Sequence, residues 1–306
     1  MNLRQGYPMP WWEIVDATGW EELQPEQRGL RTKQWVRDQD GTVWLRKSIR
    51  GWEKLPGGSR PTEPAVECFT LELARRCGFE VALGRPAVWD GPTGQVRGLV
   101  SRRFHDESEE QRTGAELIEG FDRDSRESRI AATLEVVRGA IARLQAGTGV
   151  DLLTPFVRTL LFDAWIGNGD RHVGNWAVLL SATPRFAPMF DTAGCLGTEL
   201  LRDHPLLVPG CSAQSLLDYA RKCKSGFGDG RARPGIFQTE VLAITRTWPE
   251  WPAVFPEMFA RFIDLLEREV DAMLSEVPDT WWPPACRRFA RRMLEARVKL
   301  VEGAAP

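Results

Sequence analysis

Three polar residues near the middle of the chain have the types and spacing that phosphoryl transfer from ATP requires. Asp170 and Asn175 lie in the segment Gly-Asp-Arg-His-Val-Gly-Asn, and Asp191 ends the segment Pro-Met-Phe-Asp. In kinases, one carboxylate orients the attacking hydroxyl, while an amide oxygen and a second carboxylate hold Mg²⁺ against the phosphates. The pattern predicts an ATP- and Mg²⁺-dependent kinase, with Asp170 as the catalytic base and with Asn175 and Asp191 as metal ligands.

The elements around these residues are expected to bring them together. An apolar run at 156–166 predicts a helix that ends shortly before Asp170, so that Asp170 lies on a loop. Two further apolar runs, at 176–180 and 186–190, predict a strand hairpin that places the two metal ligands side by side. The alternative is that these polar side chains only satisfy backbone groups of a turn.

The predicted catalytic loop also contains Arg171 and His172. A single histidine more often supports a structure through hydrogen bonds than it transfers protons. We therefore assign His172 to the catalytic set in a supporting role, in which it holds the loop. Arg171 is suited either to contact phosphate or to pair with a carboxylate, and the sequence leaves both alternatives open.

Strands and one helix are predicted nearer the N-terminus. An Asp-Gly turn separates two runs rich in aromatic and β-branched residues, at 33–37 and 42–47, which predicts a β-hairpin. Apolar residues at helical spacing predict a helix over 63–77, and Gly78 is suited to its C-terminus. These elements precede the catalytic segment and are placed to bind the nucleotide.

A lysine and a glutamate on these elements are the candidates for binding the ATP phosphates. Lys47 lies at the end of the second hairpin strand, and lysine is a compact point charge suited to phosphate. Glu67 on the helix is its predicted ion-pair partner, whereas Glu63 and Glu72 are weaker candidates. The alternative is a solvated lysine at a strand end and a glutamate on a helix surface.

The remainder of the chain divides into two parts. Strand-like runs follow at 81–89 and 97–104, and beyond about residue 115 the chain is mainly helical apart from the catalytic segment. A length of 306 residues exceeds the usual size of a single domain. We expect an α+β, bilobed fold with a small β-rich N-lobe and one main helix over 1–105. A larger, mostly helical C-lobe is expected over 106–306.

Composition and charge narrow the class of protein. The net charge of −2 lacks the basic footprint of a nucleic-acid-binding protein. The six cysteines form no CxxC pair, which argues against a zinc site or disulfide framework and favours a reducing compartment. No apolar run has the length of a signal-peptide core or a membrane span. We expect a cytoplasmic protein that does not contact a membrane.

The order of these motifs resembles the HipA-like kinase family. That order is Lys47, Glu67, Asp-Arg-His-Val-Gly-Asn, an apolar strand and Pro-Met-Phe-Asp, and the resemblance runs from about residue 29 to 200. It implies a protein-kinase-like fold distantly related to that of phosphatidylinositol lipid kinases, with ATP and Mg²⁺ as cofactors. It also implies a protein serine or threonine as the acceptor, and a strand at 99–103 near the adenine, with Val100 as a cofactor contact.

The phosphate loop departs from the family pattern. HipA toxins carry a Ser-rich loop before the lysine strand, whereas this chain has Arg-Gly-Leu-Arg-Thr-Lys at 28–33. Gly29 still permits backbone N–H groups to approach phosphate, and Arg31 adds positive charge, so both are candidates for cofactor binding. The missing serine argues against switching by autophosphorylation of the toxin type.

Several alternatives remain for the acceptor and for the partners. A small-molecule hydroxyl, such as that of a metabolite or antibiotic, would use the same catalytic residues as a protein substrate. A nucleotide-binding regulatory pseudokinase without turnover is a second alternative. The family implies a possible antitoxin-like protein partner. The basic, Gly-rich segment at 222–234 is interpreted as a mobile surface loop, with a lid or a docking site for an acidic or nucleic-acid partner as alternatives. The Arg-rich run at 287–301 is interpreted as an amphipathic helix with a solvated basic face rather than a docking surface for phosphate.

Overall fold

The computed structural model describes residues 11–25, 33–49, 60–92, 94–200 and 204–306. The strands are β1 (Val15–Asp16), β2 (Glu21–Pro25), β3 (Lys33–Arg37), β4 (Val43–Ser48), β5 (Gly84–Gly91), β6 (Gly94–Arg102), β7 (Glu110–Thr113), β8 (Ala177–Leu180) and β9 (Arg185–Phe186). The helices are α1 (Glu63–Arg76), α2 (Gly114–Leu117), α3 (Arg126–Ala131), α4 (Leu134–Thr148), α5 (Leu153–Ile166), α6 (Ala213–Arg221), α7 (Gln238–Thr245), α8 (Trp251–Arg268), α9 (Val270–Glu276) and α10 (Pro284–Glu302), with a 3₁₀ turn at Pro205–Leu207.

Six strands form an N-terminal sheet in the order β1-β5-β6-β4-β3-β2, antiparallel except for β1 beside β5. The hairpin predicted from the Asp-Gly turn is present as β3–β4, and it pairs Lys33 with Lys47. Asp38 closes its turn by accepting hydrogen bonds from two backbone N–H groups, while Gly41 has a φ of +81° that favours glycine. The hairpin delivers Lys47 to the face of the sheet on which α1 packs.

Helix α1 lies between the sheet and the helical region, and most of its surface is buried. Phe69 and Leu73 belong to one continuous core that also contains α5 and α8. The helix ends as predicted before Gly78, which has a φ of +84°. Because α1 is enclosed on several sides, the position of Glu67 is fixed relative to both parts of the chain.

Helix α5 is the centre of the C-terminal region. Its side chains Phe156, Phe162 and Trp165 are fully buried, and Trp165 stacks on Phe262 of α8 with ring centroids 4.3 Å apart. Helices α4, α7, α8 and α10 pack around it. The helix ends at Gly167, whose left-handed φ of +71° turns the chain into the loop that precedes β8. The loop therefore begins at the end of a helix whose position is fixed by the core.

A second, smaller sheet has the order β7-β8-β9 and is antiparallel. Strand β9 is shorter than the run predicted at 186–190, but its pairing with β8 still closes the predicted hairpin. The chain is thus a mixed α+β protein with a β-sheet N-terminal region and a helical C-terminal region, as predicted. In the part of the chain that the structure describes, no helix combines the length and apolar character needed to cross a bilayer.

Candidate active site

The loop at 167–175, here called the catalytic loop, is built on a buried polar cluster. Asp163 on α5 accepts hydrogen bonds from Arg171 Nε at 2.7 Å, from Arg171 Nη2 at 3.1 Å and from Asn168 Nδ2 at 2.9 Å. Asn168 Oδ1 in turn accepts the backbone N–H of Asp170 at 3.1 Å. The cluster fixes the backbone at Asp170 while leaving its carboxylate about half exposed.

Arg171 joins the catalytic loop to the segment that carries Asp191. Besides its bidentate pair with Asp163, its Nη1 donates to the backbone carbonyl oxygens of Asn175 and, at 3.3 Å, of Phe190. The side chain is almost completely buried. Of the two alternatives left by the sequence, the structure shows the carboxylate pair, and no phosphate has access to this guanidinium.

Asn175 and Asp191 lie at the two ends of the β8–β9 hairpin, where Arg171 Nη1 donates to the carbonyls of both Asn175 and Phe190. Asn175 Nδ2 donates to the Asp170 backbone oxygen at 2.7 Å, which leaves the amide oxygen without a hydrogen bond among the described residues. Asp191 adopts a φ of +55°, a strained conformation for a residue other than glycine and one that clusters at functional sites. Both residues therefore present oxygen atoms from a fixed backbone.

Lys47 and Glu67 form a buried ion pair with Nζ and Oε1 2.8 Å apart. Lys47 Nζ also lies 3.3 Å from Asp191 Oδ1, and Lys33 Nζ lies 3.7 Å from Asp191 Oδ2. The weaker candidate Glu72 is occupied by two arginines of its own helix. A lysine held between a helix carboxylate and Asp191 links the β4 strand, α1 and the hairpin at one point.

A hydroxyl pair fastens α1 to the residue after Asp191. The Thr70 and Thr192 hydroxyl oxygens lie 2.7 Å apart in a buried contact. Because the Thr70 hydroxyl already donates to the Val66 carbonyl at 2.8 Å, Thr192 is the donor in this pair. The position of Asp191 is therefore coupled to that of α1.

His172 supports the catalytic loop, and its side chain is 46% exposed. Its Nδ1 accepts the backbone N–H of Gly174 at 2.9 Å, and its Nε2 lies 4.0 Å from Asp170 Oδ1. Burial lowers the pKa of His172 below its ordinary value of 6.5, and the neighbouring carboxylates of Asp170 and Asp191 only partly oppose this. The imidazole is accordingly neutral at physiological pH, with its proton on Nε2.

The segment at 222–237, which contains the Gly-rich run at 222–234, packs against the catalytic loop. This packing differs from the interpretation of the run as a mobile surface loop. Its Gly226 N–H donates to the Arg171 carbonyl at 3.2 Å, and a Cβ on Gly226 would lie 2.5 Å from His172 Cβ. Gln238 Nε2 donates to the Asn168 carbonyl at 2.6 Å and to the Lys224 carbonyl at 3.3 Å. The glycines of this segment permit close approach to the loop.

Of the other three predicted cofactor contacts, the structure describes only Val100. Gly29 and Arg31 fall outside the described residues. Val100 is fully buried on the opposite face of the sheet from Lys47, in a small cluster with Ala87 and others. Lys47 pairs with Leu99 across β4 and β6, so these two side chains lie on the same face of the sheet. Side chains alternate along a strand, and the side chain of the next residue, Val100, therefore lies on the other face. We therefore do not retain Val100 as a nucleotide contact.

The donor set suits Mg²⁺ bound together with a nucleotide. Among the described residues, no group of three or more His, Cys, Asp or Glu side chains is arranged to hold a metal alone. Mg²⁺ usually takes one or two protein oxygens and completes its shell with phosphates and water. The amide oxygen of Asn175 and the carboxylate of Asp191 meet that need.

Sequence reasoning missed the residues that support the site from a distance. Asp163, Asn168 and Gln238 hold the catalytic loop but lie outside the motif or carry no local signal for this role. The one usable signal was an aspartate inside the apolar run of α5, because a buried carboxylate requires a partner. Lys33, whose Nζ lies 3.7 Å from Asp191 Oδ2, was also not identified as a site residue.

Comparisons with known proteins agree with this geometry. The chain matches the family model described as HipA-like C-terminal domain over residues 27–240. A comparison with curated proteins gave no significant sequence match. The solved structure of CtkA, a proinflammatory kinase of Helicobacter pylori, is similar with a TM-score of 0.67 at 15% identity, covering 95% of this chain and 97% of CtkA.

HipA of Shewanella oneidensis MR-1, solved with HipB and operator DNA, is similar with a TM-score of 0.50 at 14% identity. That alignment covers 97% of this chain and 69% of the HipA chain. At such identities the two structures establish a shared fold, and the family model spans most of the chain. The chain belongs to the HipA-like C-terminal domain family.

Proposed function

We propose that the chain is an ATP- and Mg²⁺-dependent kinase that transfers the γ-phosphoryl group to a hydroxyl, with a protein serine or threonine as the acceptor. The observation that carries the proposal is the convergence of β4, α1 and the segment after β9, where Lys47 Nζ is 2.8 Å from Glu67 and 3.3 Å from Asp191. Arg171 joins the catalytic loop, which carries Asp170 and Asn175, to the backbone of Phe190 next to Asp191. The family membership supports the same chemistry.

Each residue has a distinct part in the proposed reaction. Asp170 orients the acceptor hydroxyl and takes its proton, for which its exposed carboxylate on a fixed backbone is suited. Lys47 binds the α- and β-phosphates, positioned by Glu67. Asn175 and Asp191 would hold Mg²⁺, which neutralises phosphate charge when bound. His172, as a neutral hydrogen-bond acceptor, keeps the loop in shape.

A small-molecule acceptor is the second candidate. A cavity of about 420 Å³ lies beside Asp170, between the catalytic loop and α6. Concave sites of this size are typical of small ligands, whereas a protein substrate needs only an open groove for one side chain. Both candidates use the same catalytic residues and differ in what fills the cavity.

The first experiment separates a kinase from a nucleotide-binding regulatory pseudokinase. ATP binding is measured by calorimetry with and without Mg²⁺, for wild type, Lys47→Met and Asp191→Asn. We expect binding by the wild type, weaker binding by Lys47→Met, and loss of the Mg²⁺ dependence in Asp191→Asn. Absence of ATP binding by the wild type would contradict the proposal.

The acceptor class follows from labelling a host lysate. Purified protein, Mg²⁺ and γ-labelled ATP are incubated with the lysate, and the protein and small-molecule fractions are then separated. Label in the protein fraction supports the serine/threonine kinase, and label in the small-molecule fraction supports the second candidate. ATP binding without label in either fraction would favour the regulatory alternative.

An antitoxin-like protein partner is a further part of the proposal. It rests on the likeness to HipA, whose structure was solved with HipB, and on no contact within this chain. Co-purification of the chain with the product of an adjacent small gene would support it. Unchanged growth on expression of the chain alone would count against a toxin role in that host.

A further inference from the structure

The cavity of about 420 Å³ lies beside Asp170. Its lining includes Asp170, Gly194, Tyr219, Lys222 and Lys224, but neither Lys47, Asn175 nor Asp191 lines it. Asp170, the proposed catalytic base, therefore lines this cavity, whereas the proposed phosphate-binding lysine and metal ligands do not. A hydroxyl bound in the cavity would therefore lie beside Asp170.

Phosphoryl transfer requires positive charge near the transferred group, yet the catalytic loop supplies none on this side. Arg171 is buried and paired with Asp163. His172 Nδ1 accepts the Gly174 N–H at 2.9 Å, so this ring is committed to the loop. Lys47 is held between Glu67 and Asp191. Lys33 lies beside Asp191, and Arg60 in the cavity lining pairs with Glu63 at 3.6 Å. Lys222 and Lys224 are the lining cations that make no ion pair with a described residue, so positive charge from the cavity side would come from one of these two.

Lys224 meets this requirement because its backbone is fixed beside the catalytic loop. A Cβ on Gly169 would lie 3.5 Å from the Lys224 carbonyl oxygen, and Gln238 bridges the carbonyls of Lys224 and Asn168. The Lys224 side chain is exposed and makes no ion pair with a described residue, and its Nζ lies 5.7 Å from the centre of the Phe237 ring. Lys224 thus lines the same cavity as Asp170, with a side chain that is exposed and not paired with a carboxylate of a described residue.

We propose that this cavity is the acceptor site and that Lys224 contacts the transferred phosphoryl group there. The inference rests on the proposed function and adds a catalytic residue to it. The acceptor hydroxyl oxygen forms a bond to the γ-phosphorus, the bond from that phosphorus to the β,γ-bridging oxygen breaks, and ADP departs with the electron pair. The hydroxyl proton passes to Asp170, while Lys224 stays protonated and neutralises charge on the equatorial oxygens.

The test uses phosphoryl transfer from γ-labelled ATP to water and to lysate protein, measured for wild type, Lys224→Met and Lys224→Arg. Lys299→Met is the matched control, because Lys299 is an exposed lysine on α10 that does not line the cavity. We expect Lys224→Met to lower kcat about 10- to 100-fold while the ATP dissociation constant changes less than about twofold. Lys224→Arg should recover most of the rate, and Lys299→Met should match the wild type.

A second readout does not depend on turnover. ADP with Mg²⁺ and aluminium fluoride mimics the transferred group, so Lys224→Met should weaken binding of that complex while binding of Mg²⁺–ADP alone is unchanged. Wild-type kcat in Lys224→Met, or an equal loss in Lys299→Met, would overturn the role of Lys224 while leaving the kinase in place. A wild-type protein that binds ATP but transfers no label would overturn the proposed function itself.

Discussion

Asp163 shows how a single buried residue organises the site without touching a substrate. It lies on α5, almost completely buried, and binds both the guanidinium of Arg171 and the amide of Asn168. A buried carboxylate is tolerated only when it is paired and hydrogen-bonded. The catalytic loop therefore has one well-defined shape as long as this cluster is intact.

Removing one partner of this pair should be strongly destabilising. Arg171→Met leaves the Asp163 carboxylate buried without its cation, and we expect the free energy of unfolding to fall by about 3–5 kcal/mol. The matched control is Arg112→Met, which breaks an exposed pair with Glu110 and should change stability by about 1 kcal/mol or less. Urea unfolding of both variants measures the difference. Similar losses in the two would show that the cluster is not what holds the loop.

His172 should make stability depend on pH. Its folded pKa is lowered by burial, so below its ordinary value of 6.5 the unfolded chain binds a proton that the folded chain does not. The free energy of unfolding contributed by this residue is therefore fully present above that value and falls as the pH decreases. His105, whose pKa burial also lowers, acts in the same direction and is common to wild type and variant.

The comparison of wild type with His172→Asn isolates this effect. The difference in unfolding free energy between the two proteins should shrink as the pH is lowered from about 7.5 to about 5. The acid limb of the pH–rate profile should become shallower in the variant, because protonation of Nδ1 no longer breaks the bond to Gly174. A difference that is constant with pH would contradict the neutral, hydrogen-bonded role of His172.

At the scale of elements, the site depends on three pieces that meet from distant parts of the chain. The β3–β4 hairpin delivers Lys47, α1 delivers Glu67, and the 222–237 segment covers the catalytic loop at His172. The third piece is held by its own contacts: Asp229 binds Arg233 and three backbone N–H groups, and these hydrogen bonds hold the pKa of Asp229 well below its usual range. It behaves as part of the site.

Gly226 should be intolerant of a side chain. A Cβ there would lie 2.5 Å from His172 Cβ and 2.8 Å from its backbone nitrogen, so Gly226→Ala must displace the catalytic loop. We expect transfer activity to fall at least about tenfold, because small misplacements at a reacting centre cost this much or more. Steady-state kinetics checks it.

The control is Gly147→Ala in α4, where a Cβ meets nothing within 4 Å. Alanine is the better helix former there by about 1 kcal/mol, so this variant should keep full activity and unfold at a slightly higher temperature. If Gly226→Ala also kept full activity, the 222–237 segment would be a cover without influence on the loop.

Across the whole molecule, an aromatic cluster fixes α1 between the N-terminal segment and the chain's C-terminal part. Trp11 packs on Phe69 with centroids 6.2 Å apart, and Trp282 packs on the same ring at 5.3 Å. Trp12 contacts Trp281 at 6.0 Å. Phe69 lies two residues after Glu67 on α1. By holding this part of the helix, the aromatic cluster fixes the position at which Glu67 pairs with Lys47.

Trp282→Ala should therefore affect both stability and nucleotide binding. A large buried aromatic replaced by alanine loses about 3–5 kcal/mol of stability, and freer movement of α1 should weaken ATP binding several-fold. Trp20→Ala is the control, because Trp20 stacks on Trp44 in the cluster on the far face of the sheet. It should lower stability without changing the ATP dissociation constant. Equal effects on ATP binding would contradict a special role for the cluster around α1.

The sequence was informative wherever a local rule decides the structure. The Asp-Gly turn predicted the β3–β4 hairpin, and helical periodicity with Gly78 predicted α1, because turn chemistry and amphipathic spacing are properties of neighbouring residues. The structure brings Lys47, Glu67 and Asp191 together from distant positions in the chain. In the sequence, only the order of the family's motifs connected these three residues. Local pattern alone would have left them as separate charges.

What the sequence did not predict are contacts between distant residues. The face on which Val100 lies depends on the register of β4 on β6, which a one-residue shift reverses. The Arg-rich helix α10 was expected to expose a basic face, yet Arg297 is buried and donates to the carbonyls of Ala164 and Ala220. The 222–237 segment looked mobile because glycine permits flexibility and close packing equally.

The most direct test of the central claim is single-turnover transfer of label from γ-labelled ATP by wild type and Asp170→Asn, with ATP affinity measured on the same samples. The substitution keeps the size of the side chain and the backbone contacts with Asn168 and Asn175. The account predicts unchanged ATP binding and a fall in the transfer rate of about 100-fold or more in Asp170→Asn. Equal transfer rates for the two proteins would contradict it.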